Sequence, residues 1–413
     1  MTAQYDVILY GATGFTGNLA AQYLASHPQQ PTLAFAGRNQ TKIRETIESL
    51  TGISKERAES IGVLEASMND NASLHRMAQS AKVVLNMVGP YAMLGGFEVA
   101  QAAAENGCCY VDLTGESHVY EHIANELDAV AKKTRAILLP SAAFDSLLFD
   151  LSTYLAVQQI KQKAGIDTET RLALCGYHVK SKVSGGTIAS IVGKAAFPNS
   201  IRFTQPYMLS PVNGTQRLHD YWSRRLPQFG KWGSYSLFAA HNTRVVNRSW
   251  ALLQLAGAPQ QYGPTFMYEE GLVASSRFGA WVLSCVFFSM TWLITHVRAF
   301  GTLLKRMIPQ GTGGSMTEQL QGFADIRTLA VSCDGRTQSE SKIFVQGDPG
   351  YLKTAAMVSE VALTLALERA KLSTLAQEGG VHTTATVGGE VVRDRLAKYA
   401  GLRFEARDVS HAM

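Results

Sequence analysis

The sequence contains few cysteines, and their spacing gives no pattern of paired thiols. Five occur among 413 residues, and the only close pair is Cys108-Cys109. An odd and scattered set of this kind argues against a disulfide framework and favours a reducing compartment. The N-terminal MTAQYDVILYGATG lacks the basic patch and the long apolar run of a secretory signal. The sequence therefore predicts a cytoplasmic protein.

Charge of either sign is also scarce. Charged residues make up 17% of the chain, and the formal net charge is only +5. The one short basic cluster, residues 217–231, is too small for the basic stripe of a nucleic-acid-binding protein, so we predict no nucleic-acid partner. With 46% hydrophobic residues the chain is too apolar to be disordered, and its length suggests two or three domains.

Short apolar runs alternate with helical patterns over the first 140 residues. YDVILY at 5–10 and KVVLNMV at 82–88 are continuous apolar runs, and residues 18–26 have helical spacing. Strands that are apolar on both faces belong to parallel sheets covered by helices. The pattern predicts an α/β fold, with a Rossmann-type doubly wound parallel sheet over residues 1–142.

The pattern changes in the rest of the chain. Residues 171–180 and 328–345 alternate like strands, and residues 351–375 have the pattern of a long helix. We expect a second, α+β domain over 143–350 that serves substrate binding and dimerisation. A C-terminal helix and tail over 351–413 should pack back on the first domain.

A glycine-rich turn joins the first predicted strand to the first helix. In GATGFTG at 11–17 the first glycine permits a tight turn, the second allows a pyrophosphate to approach the backbone, and the third allows close helix–strand packing. An ordinary turn before a helix is the alternative, since the spacing differs from G-x-G-x-x-G. The predicted cofactor-binding residues of this turn are Gly11, Thr13, Gly14, Phe15, Thr16 and Gly17.

The end of the second predicted strand indicates which dinucleotide binds. An NAD-binding domain usually places an acid there for the ribose 2′-hydroxyl, whereas this strand ends in AGRN at 36–39. A guanidinium at Arg38 would pair bidentately with a 2′-phosphate, although a solvated surface arginine is the alternative. We predict that Arg38 and Asn39 bind the cofactor and that NADP(H) is preferred to NAD(H).

Several motifs occur together in the order found in one enzyme family. They are GATGFTG at 11–17, AGRN at 36–39, VVLNMVGPY at 83–91, YVDLTGE at 110–116, FDS at 144–146, SGGTIAS at 184–190 and the closing GGVHTTATVGGEVVRDRLAKYAGLRFE. As a set they resemble the saccharopine dehydrogenase-like oxidoreductases, and within them the branch of the trans-acting enoyl reductases of lipid biosynthesis. One departure is AFDSLLFDLS at 143–152, where the family usually has GFDSIPSDLG.

The resemblance implies an NADPH-dependent reductase that acts on a C=C bond of a lipid or polyketide-like substrate. It also implies a second domain that covers the nicotinamide and shapes the substrate site. Two alternatives stay open, namely a saccharopine dehydrogenase-like imine or amino-acid reductase and a non-catalytic nucleotide- and lipid-associated binding protein. The imine reductase would use Lys182, Arg202 and Arg217 to hold substrate carboxylates.

Three loops beyond the carboxyl ends of the predicted strands should surround the nicotinamide. Gly89-Pro90 would form a tight turn against the cofactor, and Tyr91 offers a phenol for proton transfer, with a packed aromatic as the alternative. Glu116 and Asp145 are further catalytic candidates, which would orient the substrate or tune that phenol. Asp145 is equally suited to cap a helix that starts at Ser146.

Two further groups of residues are candidate binding sites. Ser184-Gly185-Gly186-Thr187 is an anion-friendly loop before a helix, and we predict that these four residues bind the substrate, with a capped helix start as the alternative. His118 and His122 lie one helical turn apart, beside Glu116 and Glu121. No third ligand has a recognisable spacing, so we predict no metal site.

One apolar segment stands apart from the rest of the chain. Residues 278–297 contain no Asp, Glu, Lys or Arg, and as a helix they would be about 30 Å long, the thickness of a bilayer core. A buried helix, a helix on or in a membrane and a dimer-interface helix are the three interpretations. A full span would separate the C-terminal motifs from the cofactor domain, so we favour burial or a peripheral contact on the cytosolic side of a membrane. Such a surface would deliver an apolar substrate.

Overall fold

A seven-stranded parallel sheet is built mainly from the first third of the chain. The computed structural model describes residues 3–181, 205–216, 222–307 and 316–411. The strands are β1 (Tyr5–Tyr10), β2 (Leu33–Gly37), β3 (Gly62–Glu65), β4 (Ala81–Asn86), β5 (Cys109–Asp112), β6 (Ile137–Leu139) and β13 (Gly380–Val381). Their order, β13-β6-β5-β4-β1-β2-β3, contains the 3-2-1-4-5-6 order of dinucleotide-binding sheets. The predicted doubly wound parallel sheet is confirmed.

Helices cover both faces of this sheet. They are α1 (Phe15–Ala25), α2 (Gln40–Glu48), α3 (Lys55–Glu59), α4 (Asn71–Gln79), α5 (Gly96–Glu105) and α6 (Ser117–Thr134). Successive side chains of β1 alternate between two apolar cores, with Val7 and Leu9 in one and Ile8 and Tyr10 in the other. This two-sided burial is the physical reason why the strands are continuous apolar runs.

The second sheet also has seven strands, and most of its pairs are antiparallel. They are β7 (Thr170–Lys180), β8 (Arg224–Leu226), β9 (Lys231–Ser234), β10 (Met267–Ala274), β11 (Phe323–Ser332), β12 (Gln338–Gln346) and β14 (Arg403–Asp408). Their order is β14-β12-β11-β7-β10-β9-β8, and only the β7–β10 pair is parallel. The long helix α7 (Phe144–Ala164) packs against β7, β11 and β12, and α8 (Ala239–Leu255) packs against α7 and β10.

The last sixty residues contribute to both sheets. The elements are α12 (Leu352–Leu367), α13 (Thr374–Gln377) and α14 (Thr384–Tyr399), together with β13 and β14. Helix α12 packs against α1 and over β1, β4 and β5, while β13 pairs with β6 and β14 pairs with β12. We therefore propose that the first folding unit includes residues beyond 351, and the division at 142 and 350 stays a prediction.

The apolar segment forms the helix α9 (Arg277–His296), which is followed by α10 (Arg298–Met307) and α11 (Met316–Leu320). Helix α9 packs on the protein through a narrow seam in which Ala280, Ser284 and Ile294 are buried. The Ser284 hydroxyl lies 2.8 Å from the backbone oxygen of Trp222 and accepts a hydrogen bond from the backbone N–H of Tyr235. Among the described residues, the contacts of α9 with the rest of the protein therefore lie along one narrow side of the helix.

Most of α9 is exposed. Its window Arg277–Ile294 has a mean hydropathy of 1.4 and is 17% buried, so by length and composition alone it is long and apolar enough to cross a membrane. Phe278 is 73% exposed, and Trp281, Phe288 and Trp292 are about half exposed. The interpretation of this segment as a buried helix is wrong, because little of the helix is buried and, among the described residues, the protein packs against one side of it.

Candidate active site

The glycine-rich turn has the backbone that the sequence predicts. Gly11 has φ +97°, a conformation that favours glycine, and its amide donates to the oxygen of Ala36 at 3.0 Å. A Cβ on Gly17 would lie 2.1 Å from the carbonyl oxygen of Gly11, so only glycine lets α1 approach the turn this closely. Both requirements explain why glycine stands at these two positions.

The first turn of α1 is open to an anion. The helix begins at Phe15, three residues before the predicted start, and its cap residue Gly14 provides no side-chain hydrogen bond. There is no acidic residue in the first turn, and Thr13 and Gly14 are exposed. The free backbone N–H groups and the positive helix end fit a pyrophosphate. Phe15 packs edge-on against Tyr351, with ring centroids 5.7 Å apart.

Arg38 follows β2 directly and is exposed. Burial raises the pKa of Tyr10, and the charge of Arg38 opposes that rise, which places the guanidinium close to the end of β1. The neighbouring Asn39 caps α2, since its Oδ1 accepts a hydrogen bond from the backbone N–H of Lys42 at 3.0 Å. This capping role was not predicted from the sequence, and a cofactor contact by Asn39 stays a prediction.

The loop after β4 is held by a buried carboxylate. The Gly89-Pro90 peptide bond is cis. Glu116 Oε1 accepts a hydrogen bond from the backbone N–H of Tyr91 at 2.9 Å, and its Oε2 accepts one from that of Ala92 at 3.2 Å. Glu116 is buried, so its main contact is with this loop. The geometry makes Glu116 a positioning residue, and its catalytic role stays a prediction.

Tyr91 is buried within the same loop. Its hydroxyl donates to the backbone oxygen of Asn86 at 3.0 Å and accepts from the backbone N–H of Leu113 at 3.3 Å. Burial and the nearby Asp112 raise the pKa of the Tyr91 phenol well above its usual value. A phenol that joins the ends of two strands in this way is poorly placed as a proton donor, and the geometry supports the packed-aromatic alternative.

Asp112, at the end of β5, joins two of the loops that border the site. Its Oδ1 accepts hydrogen bonds from the backbone N–H groups of Thr114 at 2.9 Å and Ser141 at 2.8 Å, and its Oδ2 accepts one from the Tyr110 hydroxyl at 2.7 Å. Burial raises the pKa of Asp112 to about 6. Asp112 was not among the predicted site residues, although an acid at the end of an apolar strand could have indicated it.

A histidine from the second half of the chain bridges the same loops. His241, on α8, places Nδ1 2.7 Å from the hydroxyl of Ser117 and Nε2 3.0 Å from that of Ser141. Ser117 begins α6, after β5, and Ser141 follows β6 with φ +61°. His241 therefore connects α8 to the carboxyl edge of the first sheet. No local pattern in the sequence pointed to this residue.

Asp145 lies at the start of α7 and not at its cap. The helix begins at Phe144 with Ala143 as cap residue, so the expected helix start at Ser146, capped by Asp145, is wrong. Asp145 is in the first turn and exposed, although the residues on either side of it are buried. A carboxylate there is favoured by the helix dipole and faces the edge of the site. Its catalytic role stays a prediction.

A second carboxyl, on β10, lies near Asp145. Glu270 Oε1 accepts a hydrogen bond from the hydroxyl of Ser236, and its Oε2 accepts hydrogen bonds from Asn242 Nδ2 at 2.8 Å and from the Tyr268 hydroxyl at 3.0 Å. Burial, to which the charge of Asp145 adds, raises the pKa of Glu270 to about 7. Glu270 and its partners were not predicted from the sequence, because they come from segments that are far apart in the chain.

Comparison with known proteins identifies the chain. A family model described as the saccharopine dehydrogenase NADP binding domain matches residues 7–139. A Mycobacterium tuberculosis protein, named a trans-acting enoyl reductase with a provisional qualifier, is 33% identical over 95% of both chains. A Mycobacterium leprae protein named a trans-acting enoyl reductase is 30% identical over 95% of this chain and 96% of its own. This chain belongs to the trans-acting enoyl reductase family.

The fold of this family member is also that of a solved enzyme. The structure of saccharopine dehydrogenase (L-Glu forming) from Saccharomyces cerevisiae aligns with a TM-score of 0.52 at 13% identity, over 98% of this chain and 99% of that one. The chain is thus an oxidoreductase with an NADP-binding Rossmann domain and a second α/β domain. The predictions of the family, the fold class and NADP(H) are confirmed.

Some predicted sites of this family member are not placed by the structure. The predicted substrate loop, Ser184-Gly185-Gly186-Thr187, lies outside the described residues, as do Lys182, Arg202 and Arg217. Among the residues that the structure describes, no group of three or more His, Cys, Asp or Glu side chains is arranged to hold a metal ion. His122 stacks on Phe97, with ring centroids 4.0 Å apart.

Proposed function

We propose that the protein is an NADPH-dependent enoyl reductase that reduces a carbonyl-activated C=C bond in a lipid or polyketide-like chain. The observation that carries the proposal is a sequence identity of 33% and 30%, over 95% of this chain, to proteins named trans-acting enoyl reductases. The loops after β5 and β6, which contact His241 of α8, support a substrate site at the carboxyl edge of the first sheet. NADPH, when bound, supplies the hydride.

The residues of this chain would hold the reactants in place. The first turn of α1 fits the pyrophosphate, and Arg38 fits the 2′-phosphate. The loop at Gly89-Pro90, braced by Glu116, forms one wall of the nicotinamide site. His241 and Asp112 fix the loops after β5 and β6, so that the opposite wall is preorganised.

NADPH oxidation by the purified protein tests the proposal. We expect oxidation with at least one member of a panel of 2-enoyl thioesters that differ in chain length, and no oxidation with a keto acid plus an amine. Oxidation only with keto acid plus amine would establish the imine reductase instead. Tight NADPH binding without oxidation of any substrate would establish the non-catalytic binding protein.

We infer as well that α9 and α10 rest on a membrane with anionic headgroups. Between Gly271 and Thr317 the chain has no acidic residue, while it carries Arg277, Arg298, Lys305 and Arg306. Exposed aromatic side chains on a helix with nearby cations are typical of interfacial segments. A second copy of this chain fits less well, because the segment contains four cations and no acid to pair with them.

Vesicle co-sedimentation tests this inference. We expect the protein to bind vesicles that contain an anionic phospholipid and to bind neutral vesicles more weakly, with binding reduced by salt. The double variant Phe278→Ser/Trp281→Ser should bind at least about tenfold more weakly, since it removes two exposed aromatic side chains. Ile166→Ser, which replaces an exposed apolar residue elsewhere, is the matched control. A dimer of wild type in solution that the double variant loses, without vesicle binding, would contradict the inference.

A further inference from the structure

Glu270 is an unusual acid, because it lies on the inner face of the second sheet. Its strand β10 pairs in parallel with β7, where Glu270 is opposite Cys175 and Leu272 is opposite Tyr177. Tyr177 on that face packs against Phe149 of α7, with ring centroids 5.3 Å apart. The side chain of Glu270 therefore points toward α7, where acids are rare unless they are paired or functional.

Three hydrogen-bond donors hold the side chain of Glu270, and the residue as a whole is only partly buried. The hydroxyls of Ser236 and Tyr268 and the amide of Asn242 all contact its oxygens. The residue nevertheless keeps part of its surface exposed, whereas Asp112 is fully buried. A carboxyl whose geometry is fixed by three donors is suited to exchange a proton with a molecule bound against it.

Hydrogen bonds connect this carboxyl to the carboxyl edge of the first sheet. Asn242 Oδ1 accepts a hydrogen bond from the hydroxyl of Ser146 at 3.1 Å. The residue before Ser146 is the exposed Asp145, and the residue before Asn242 is His241, which bridges the loops after β5 and β6. Glu270 is thus one side chain away from the edge at which a dinucleotide presents its nicotinamide.

We propose that Glu270 is the proton donor of the reduction, with Asp145 beside it at the mouth of the site. This proposal rests on the proposed enoyl reductase function. Hydride transfer to the β-carbon leaves an enolate on the substrate and NADP⁺. The O–H bond of the Glu270 carboxyl then breaks as a C–H bond forms at the α-carbon. The resulting carboxylate regains a proton from solvent once the product has left.

Burial is the main cause that raises the pKa of Glu270, while the hydrogen bonds from Ser236, Asn242 and Tyr268 oppose that rise. Within the part of the chain that the structure describes, the titratable groups that interact with Glu270 are Tyr268 on β10, Cys175 and Tyr177 on β7, and Asp145 on α7. None of these is a cation, and the negative charge of Asp145 opposes ionisation of a second carboxyl. The pKa of Glu270, about 7, lies where a general acid is effective.

Glu270→Gln tests the proposal, because it keeps the shape and removes the acidic proton. We expect NADPH to bind within about threefold of wild type and the kcat of enoyl thioester reduction to fall by about 100-fold or more, with little change in KM. Glu405→Gln, on the exposed edge strand β14 of the same sheet, is the matched control. Turnover by Glu270→Gln within about threefold of wild type would overturn the proposal.

The pH profile distinguishes a proton donor from a structural residue. The kcat of wild type should fall as the pH rises through about 7, because the carboxyl loses its proton. Asp145→Asn should move this fall to lower pH, since removal of the negative charge lowers the pKa of Glu270. A wild-type profile without this fall, or one that Asp145→Asn leaves in place, would contradict the assignment.

A measurement without turnover separates this proposal from the proposed function. The infrared band of a protonated carboxyl should titrate near pH 7 in wild type, be absent from Glu270→Gln and shift when NADPH binds. If no enoyl thioester is reduced by wild type, the enoyl reductase proposal fails by itself. A band that NADPH does not perturb would then overturn the placement of Glu270 beside the nicotinamide.

Discussion

We expect the side chain of Arg38 to account for the binding of a phosphorylated dinucleotide. It stands after β2, where a 2′-phosphate is expected, and a contact with that phosphate would be charge-assisted. We expect Arg38→Ala to weaken NADPH binding by about 10- to 100-fold and NADH binding much less. Fluorescence titration of both dinucleotides measures the change, with Arg44→Ala, an exposed arginine on α2, as control. Equal losses for NADPH and NADH would show that Arg38 does not contact the 2′-phosphate.

A buried ion network joins the first helix to the last helices. Glu360 on α12 is fully buried and contacts the Tyr23 hydroxyl at 2.7 Å, His27 Nε2 at 2.9 Å and Arg395 Nε at 3.0 Å. Removal of one partner leaves an uncompensated charge in a medium of low polarity. We expect Glu360→Gln to lower the free energy of unfolding by about 3–5 kcal/mol in urea titrations.

The control for this network is Glu59→Gln. Glu59 pairs with Lys55 on the surface of α3 at 3.7 Å, where both side chains are mostly exposed. Its loss should change stability by less than about 1 kcal/mol. Equal effects of Glu360→Gln and Glu59→Gln would contradict the view that burial gives the network its importance.

At the next scale, the approach of α1 to β1 depends on glycine. A Cβ at position 17 would overlap the carbonyl oxygen of Gly11, whereas a Cβ at Gly14 would lie 3.5 Å from the same atom. We expect Gly17→Ala to push α1 away, lower the thermal midpoint and abolish NADPH binding. Gly14→Ala should keep the midpoint within a few degrees and weaken NADPH binding only. A Gly17→Ala protein with wild-type stability and affinity would show that α1 can shift without cost.

Helix α9 shows how far one element can be predicted from its sequence. The predicted segment 278–297 differs by one residue at each end from the observed helix Arg277–His296. An apolar run of this length, with no glycine or proline in its second half, favours one continuous helix. Its burial could not be read from the run itself. An apolar helix packs wherever a neighbour covers it, and here the protein covers only a seam that includes Ala280, Ser284 and Ile294.

For the molecule as a whole, the C-terminal segment completes both sheets. Helix α12 covers β1, β4 and β5, and β13 and β14 extend the first and second sheets. We expect residues 1–350 expressed alone to form no cooperatively unfolding protein, since a parallel sheet is stable only when both faces are covered. Co-expression of 351–413 as a separate chain should restore solubility and NADPH binding. A soluble 1–350 chain that binds NADPH with wild-type affinity would contradict this prediction.

Asp150 connects three distant parts of the chain and makes stability depend on pH. Its Oδ1 accepts a hydrogen bond from the Ser249 hydroxyl at 2.5 Å and its Oδ2 one from the backbone N–H of Ala385 at 2.8 Å. Burial raises the pKa of Asp150 from 3.8 to about 6. The unfolded chain therefore ionises first as the pH rises, and the native state loses stability between about pH 4 and 6.

Asp150→Asn isolates this contribution. We expect the free energy of unfolding of wild type, relative to Asp150→Asn, to fall by on the order of 3 kcal/mol between pH 4 and pH 7. Urea titrations at several pH values measure the free energy of unfolding of both proteins. The contributions of the other titrating groups are common to both proteins and cancel in the difference. A difference that stays constant, or that grows in favour of wild type as the pH rises, would contradict the raised pKa of Asp150.

Short-range features of the chain were enough to predict the Rossmann-type sheet apart from β13, the glycine-rich turn and the motifs that indicate the family. Each depends on residues close together in sequence, where periodicity and backbone geometry leave few options. The reactive edge is different, since His241 meets Ser117 across 124 positions and Glu270 meets Ser236 across 34. The two alternatives for Tyr91 stayed open for the same reason, because only the folded chain places its hydroxyl between Asn86 and Leu113. Local propensity governs the elements, but the packing of remote elements decides which side chains are buried, bonded or exposed.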